Sequence, residues 1–115
     1  MEQLNRVELR GIVGSVRIQM ISGANVARFT VATNFAYRDK DGNPTIETTW
    51  HNVTAWESKE NRGLDKLEKG SKVYLVGRLR NQRFIGADGA ERTFQEILAI
   101  RVDCLNSTEV LECQV

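Results

Sequence analysis

Residues 39–56 read Asp39-Lys40-Asp41-Gly42-Asn43-Pro44-Thr45-Ile46-Glu47-Thr48-Thr49-Trp50-His51-Asn52-Val53-Thr54-Ala55-Trp56. The first six are dense turn chemistry around an Asp-Gly pair, where glycine supplies the positive φ of a tight hairpin turn. The next stretch, from about Thr45 to Glu57, alternates. One parity carries Val53 and Ala55, the other Trp50, Asn52, Thr54 and Trp56, and a period of two is the mark of a strand. Upstream, roughly Val26 to Arg38, Phe29, Val31 and Thr33 alternate with Arg28, Thr30 and Ala32. The two segments read as one long antiparallel hairpin.

Outward from that hairpin the same period recurs. Asn5 to Val13 sets Val7, Leu9 and Val13 against Arg6, Glu8 and Arg10, with Gly11 and Gly14 as interruptions of the kind found at barrel bends. A loop around Ser22-Gly23-Ala24-Asn25 separates it from the next strand. After the hairpin the period changes. Ser58 to Lys69 places Leu64 and Leu67 three apart among charged residues and stops at Gly70, which predicts a short helix weakened by Gly63. Lys72 to Phe84 alternates again, with Val73, Leu75 and Leu79 on one side. Ile85-Gly86-Ala87-Asp88-Gly89-Ala90 is a second hairpin loop, and Glu91 to Val102 a last strand with Phe94, Leu98, Ile100 and Val102 in step. From Asp103 onward no period is clear.

The order β-β-β-α-β-β predicts an all-β protein with one short helix: an OB-fold, the five-stranded Greek-key barrel whose loops and one sheet face bind oligonucleotides. Two antiparallel hairpins argue against a parallel βαβ sheet. At 115 residues the chain is expected to hold one domain, residues 1–105, followed by a short tail, 106–115. With 41% hydrophobic and 27% charged residues it reads as a soluble globular domain. No apolar run suits a membrane span, and Met1 to Arg6 holds no signal-peptide core, so the expected location is cytoplasmic. Cys104 and Cys113 read as reduced thiols.

Net charge is only +1, but the distribution is uneven. Three of the 15 acids, Asp103, Glu109 and Glu112, follow Arg101, leaving 12 against all 16 basic residues before it, a net +4. That modest excess suits affinity from stacking plus a local basic track rather than from bulk charge.

Two indoles on one face of a strand, with polar residues between them, are unusual for a core. Either Trp50 or Trp56 alone fits packing under a loop equally well; the pair points outward. Phe84 follows Arg78-Leu79-Arg80-Asn81-Gln82-Arg83, a run of three arginines with no acid among them. A solvated edge is the bland reading of such a run. Yet guanidinium forks pair with phosphate and stack on bases, and aromatic faces beside cations are what single-stranded nucleic acid requires. Tyr37, followed by Arg38 and Lys40, repeats the pattern more weakly. The candidate binding residues are therefore Tyr37, Trp50, Trp56 and Phe84 for bases, with Arg28, Arg38, Lys40, Arg78, Arg80 and Arg83 for phosphates.

Catalytic equipment is thin. His51 is the only histidine, no His/Cys/Asp/Glu spacing suits a metal, and neither a GxxxxGK[ST] loop nor a GxGxxG fingerprint occurs. No enzyme, metal or cofactor is expected. His51 shares parity with Val53 and Ala55 and reads as a packing or interface residue.

Several segments together resemble the bacterial single-stranded DNA-binding protein family. They are Asn5-Arg6-Val7-Glu8-Leu9-Arg10-Gly11, Val26 to Thr33, Tyr37-Arg38-Asp39-Lys40, Leu67 to Tyr74 with Gly77-Arg78-Leu79-Arg80, and above all Glu47-Thr48-Thr49-Trp50-His51-Asn52-Val53. The resemblance implies base stacking at Tyr37, Trp50, Trp56 and Phe84 during replication, recombination and repair, on the nucleoid. It also implies a homotetramer with His51 and Tyr74 at or near subunit contacts. One departure stands out. Family members typically continue through a flexible linker to an acidic tip that recruits replication and repair proteins, and Glu112-Cys113-Gln114-Val115 is not such a tip. The chain reads as trimmed or as a naturally short member, and tail-borne recruitment is not implied. Two rival readings remain: a primosome-type OB-fold replication-restart protein, and an OB-fold interaction module without nucleic acid.

Overall fold

A computed structural model describes residues 1–59, 61, 63–105 and 111–114. Alternating sequence becomes strand almost throughout. The strands are β1 (Val7–Ile21), β2 (Ala24–Arg38), β3 (Pro44–Trp56), β4 (Lys72–Ile85) and β5 (Glu91–Cys104). They close into a barrel in the order β1-β2-β3-β5-β4, with β4 returning to β1. All pairings are antiparallel except β3 with β5. The expected OB-type architecture is present, and three details differ.

First, β1 does not end near Val13. It runs on to Ile21, pairing with β4 through Val7–Ile12 and with β2 through Ile12–Ile21. Gly14, expected to interrupt the strand, lies instead in a register shift between Val13 and Val16, which lets one strand serve two neighbours. Second, the expected helix is absent. Among the described residues the β3–β4 connection holds only a 3-10 turn, Leu64–Lys66, and Glu60 and Arg62 lie outside those residues. Two leucines give too small an apolar stripe to hold a helix of that length, and Gly63 adopts φ 83°, outside helical space.

The interior is built by one parity of each strand: Phe29 and Val31, Val53 and Ala55, Val73 and Leu75, Ile97 and Ala99, all buried. Leu64 and Leu67 join the same core from the connection. Each such large side chain contributes roughly 1.5–3 kcal/mol. In β5 the inward set differs from the one expected. Phe94 and Ile100 face outward, whereas Ile97, Ala99 and Val102 are inside. A register shift at Val76/Gly77 leaves Ile100 without a partner on β4, and this bulge changes which residues point in. Gly77 is needed there, because a Cβ would sit 2.8 Å from the Ala99 Cα.

On its other side β5 loses β3 after the Ala55–Ala99 pair, so its backbone beyond Ala99 has no strand there. Asn61, 2% exposed, takes that place: its side-chain NH2 donates to the Ile100 carbonyl at 3.1 Å and its carbonyl accepts from the Val102 N–H at 2.9 Å. At the opposite flank, β2 outruns β1 after Ala32, leaving an edge. Gln114 occupies it, donating its N–H to the Asn34 carbonyl and accepting from the Ala36 N–H, a parallel bridge opposite Phe35. The rest of the expected tail, residues 106–110 and 115, lies outside the described residues.

Candidate nucleic-acid interface

Residues opposite one another in a ladder share a face, so the registers locate every candidate that lies on a strand. Ala32 faces Trp50 and Arg28 faces Thr54 across β2–β3; Thr54 faces Leu98 across β3–β5; Arg78 faces Leu98, Arg80 faces Glu96, Gln82 faces Phe94 and Phe84 faces Arg92 across β4–β5. Trp50, Trp56, Phe84, Arg28, Arg78 and Arg80 therefore share one continuous outer face spanning four strands. The aromatic members are well exposed for their size: Trp50 60%, Phe84 45%, Trp56 42%. Solvated rings on a sheet face are free to take a flat apolar partner.

Trp50 is set by what lies beneath it. Gly14 of β1 carries no side chain, and a Cβ there would come within 2.9 Å of Trp50 Cη2 and 3.0 Å of Thr30 Oγ1. The indole therefore packs directly against β1 backbone. Ser15 and Thr30 bond to each other alongside, at 3.0 Å.

The arginine run does meet acids, supplied by the strand across from it. Arg80 donates from Nε and Nη2 to Glu96 Oε1, both at 2.7 Å. Gln82 adds a third bond to that oxygen at 3.0 Å, and the Thr54 hydroxyl donates to Oε2 at 2.8 Å. Burial raises the Glu96 pKa, but the bonds from Thr54, Gln82 and Arg80 together with the Arg80 charge outweigh it and hold the carboxyl below its ordinary 4.5. The charge of Arg80, expected to meet phosphate, is thus already balanced within the protein. Arg83 is only loosely tied to Glu91, at 3.6 Å with both side chains largely in water, and such pairs contribute little. Among the described residues Arg28, Arg38, Lys40 and Arg78 form no ion pair. Arg38 instead donates to the Gly42 carbonyl at 2.9 Å, bracing the β2–β3 turn.

Tyr37 stands apart. It faces Thr45 in an uninterrupted register, so it projects from the side of the β2–β3 ladder opposite to Trp50. It is not alone there: Phe35 lies beside it, ring centroids 6.3 Å apart at 27°.

His51, on the Tyr37 side of the β2–β3 ladder, and Tyr74 line a common cavity of about 1060 Å³ with Arg10, Thr33 and Gln114. His51 Nε2 and the Thr33 hydroxyl are 2.9 Å apart. Burial lowers the His51 pKa below 6.5. Arg10 lies over the Tyr74 ring at 5.4 Å.

Sequence reasoning missed Phe94, Phe35 and Glu96. Phe94, 41% exposed, packs edge-on to Phe84 at 5.7 Å and 65°. A signal for it was present, since Glu96 shares its parity and a carboxylate does not belong on a core face. Among the described residues there is no group of three or more potential metal ligands, and no helix is long and apolar enough to cross a membrane.

The comparisons with known proteins agree with this geometry. A family model described as the single-strand binding protein family matches residues 4–105. The single-stranded DNA-binding protein of Neisseria meningitidis serogroup A is 38% identical over 99 residues, covering 84% of this chain and 56% of that one. Single-stranded DNA-binding protein 1 of Chlorobaculum tepidum is 37% identical over 81 residues, 69% of this chain and 50% of that one. The chain thus spans about half the length of the curated relatives it matches. Among solved structures, a Plasmodium falciparum SSB complex with ssDNA superposes with a TM-score of 0.78 at 27% identity, covering 92% of this chain and 98% of that one.

Proposed function

The chain belongs to the single-strand binding protein family, and from that premise we propose that it binds single-stranded DNA largely without regard to sequence, coating and protecting it in replication, recombination and repair. The observation that carries this reading is the outer face on which Trp50, Trp56 and Phe84 stand exposed beside Arg28 and Arg78, which form no ion pair among the described residues. Bases stack on the rings, each contributing ~1–3 kcal/mol, and every base has a π-face, which makes the binding tolerant of sequence. Arg28 and Arg78 on this face, Arg83 beside it, and Arg38 and Lys40 by the hairpin turn meet the phosphates. Residues 1–105 constitute the binding domain, and its work is binding rather than catalysis.

We further read the protein as a homotetramer acting on the nucleoid in the cytoplasm. The shared cavity of His51 and Tyr74, away from the Trp50 face, supports subunit contacts there. Native mass measurement alone and with oligo-dT tests the subunit number. Titration with oligo-dT is the direct test of function. Intrinsic tryptophan fluorescence falls as bases stack, and affinity falls with salt at a log–log slope of ~0.7 per phosphate contact. Unchanged fluorescence at saturating DNA removes the stacking role, and no binding at low salt removes the function.

A further inference from the structure

Between Trp56 and Phe94 the outer face sinks into a cleft of about 570 Å³. Its lining divides by chemistry. Two exposed aromatic side chains belong to it, Trp56 from β3 and Phe94 from β5, with the buried Phe29 of β2 beneath. Arg80, Gln82, Thr54 and Glu96 also line it, joined into one hydrogen-bonded group. Arg28 and Arg83, both exposed, line it as well.

The joined group carries one positive and one negative charge and is electrically balanced. Both Glu96 oxygens are occupied, and Arg80 is committed through two nitrogens. A phosphate entering here would meet a carboxylate fixed in its ionised form and a guanidinium with its charge already satisfied. A nucleobase meets different conditions: two exposed rings to lie against, and the planar guanidinium of Arg80, which tolerates contact with a flat neutral heterocycle. Phe84 packs edge-on against Phe94 from beside the cleft.

We infer that this cleft is a base-binding slot, with Phe94 as a stacking wall, the Arg80–Glu96 pair as its neutral floor, and Arg28 and Arg83 holding the backbone phosphates at the rim. Arg80 is then a base-contacting and positioning residue, not a phosphate contact. The inference rests on the reading that this face takes single-stranded DNA, and it adds which part of the DNA enters which part of the face.

The test is equilibrium binding of labelled oligo-dT to the full chain across a salt series, for wild type, Phe94→Leu, Arg80→Lys and Arg83→Gln, with thermal unfolding of each variant as a control. Phe94→Leu keeps apolar bulk but loses the ring. It weakens binding by about fivefold or more at every salt concentration, with the slope unchanged. Arg80→Lys keeps the charge but loses the plane, and behaves the same way. Arg83→Gln lowers the slope by ~0.7. A Phe94→Leu protein that binds within twofold of wild type overturns the slot, as does an Arg80→Lys protein of full affinity. Failure of the wild type to bind oligo-dT at low salt sinks instead the functional reading on which the slot rests.

Discussion

Trp50 of β3 packs against Gly14 of β1, two residues 36 positions apart in the chain that meet across β2. The glycine is there for space: its φ is not in the positive range, and only a side chain would disturb the ring. Gly14→Ala is therefore expected to push the indole off the barrel wall. Overpacking of this kind costs about 1–3 kcal/mol of stability. Oligo-dT affinity should fall in the same variant, by an amount comparable to Trp50→Ala, for which the loss is ~1–3 kcal/mol. Urea unfolding and fluorescence titration together check both.

Asn61 stands in for a missing strand, bonding both ways to β5 backbone at Ile100 and Val102, just past the point where β3 parts from it. Asn61→Ala strips one buried and one part-buried backbone group of their partners, and a buried group left so costs about 1–3 kcal/mol. Denaturant midpoints should show a loss at the upper end of what one side chain can cause. Asn61→Asp keeps the acceptor, loses the donor, and should lie between.

The Glu96 carboxyl titrates below its ordinary value of 4.5 in the folded chain. The unfolded chain therefore takes up its proton first as pH falls. The stability it contributes is complete above the unfolded value and disappears as pH drops through the folded one. Glu96→Gln should flatten the acid limb of stability measured from about pH 6 to pH 3. Arg80→Ala should destabilise by about 3 kcal/mol and move that limb to higher pH, because it leaves a buried carboxylate without its cation.

Burial likewise lowers the His51 pKa from 6.5, so folding prefers the neutral ring. Stability from this residue is fully present above the unfolded value and declines as pH falls below it toward the folded value. Unfolding midpoints followed from about pH 7.5 down to pH 5 should decline in wild type and decline less in His51→Gln.

Tyr37 and Trp50 occupy opposite sides of one ladder. An oligonucleotide too short to pass round the hairpin can touch only one of them. At the short end of the ~4–16 nucleotides that one OB-fold engages, Trp50→Ala should weaken binding while Tyr37→Ala does not. With longer oligonucleotides both should matter, and Phe35→Ala should begin to matter with Tyr37. A titration series in oligonucleotide length reads this directly.

Much of this arrangement was legible in the sequence, and the parts that were not share a cause. Alternation sees one strand at a time. It put Trp50 and Trp56 on one face and Val53 and Ala55 on the other, because no bulge interrupts β3. It failed where the count of two breaks. The shift after Val13 hid the second half of β1, and the shift at Val76/Gly77 hid the outward turn of Phe94. Pairing between strands is invisible to it altogether. The arginines near Phe84 read as unopposed because Glu96 lies 16 residues away in the chain and directly opposite Arg80 in the sheet. The helix expected around Leu64 and Leu67 went wrong differently: both leucines are buried as expected, but by core packing that a single turn suffices to position.

The bridge between Gln114 and β2 bears on a hazard unrelated to DNA. A barrel leaves few places where another strand can add, and the stretch of β2 beyond Ala32 is one of them. Two backbone hydrogen bonds from the protein's own chain fill that place. The contact thus works as a stopper against templated side-by-side growth, keeping a hairpin rich in exposed aromatics from recruiting the extended backbone of its neighbours.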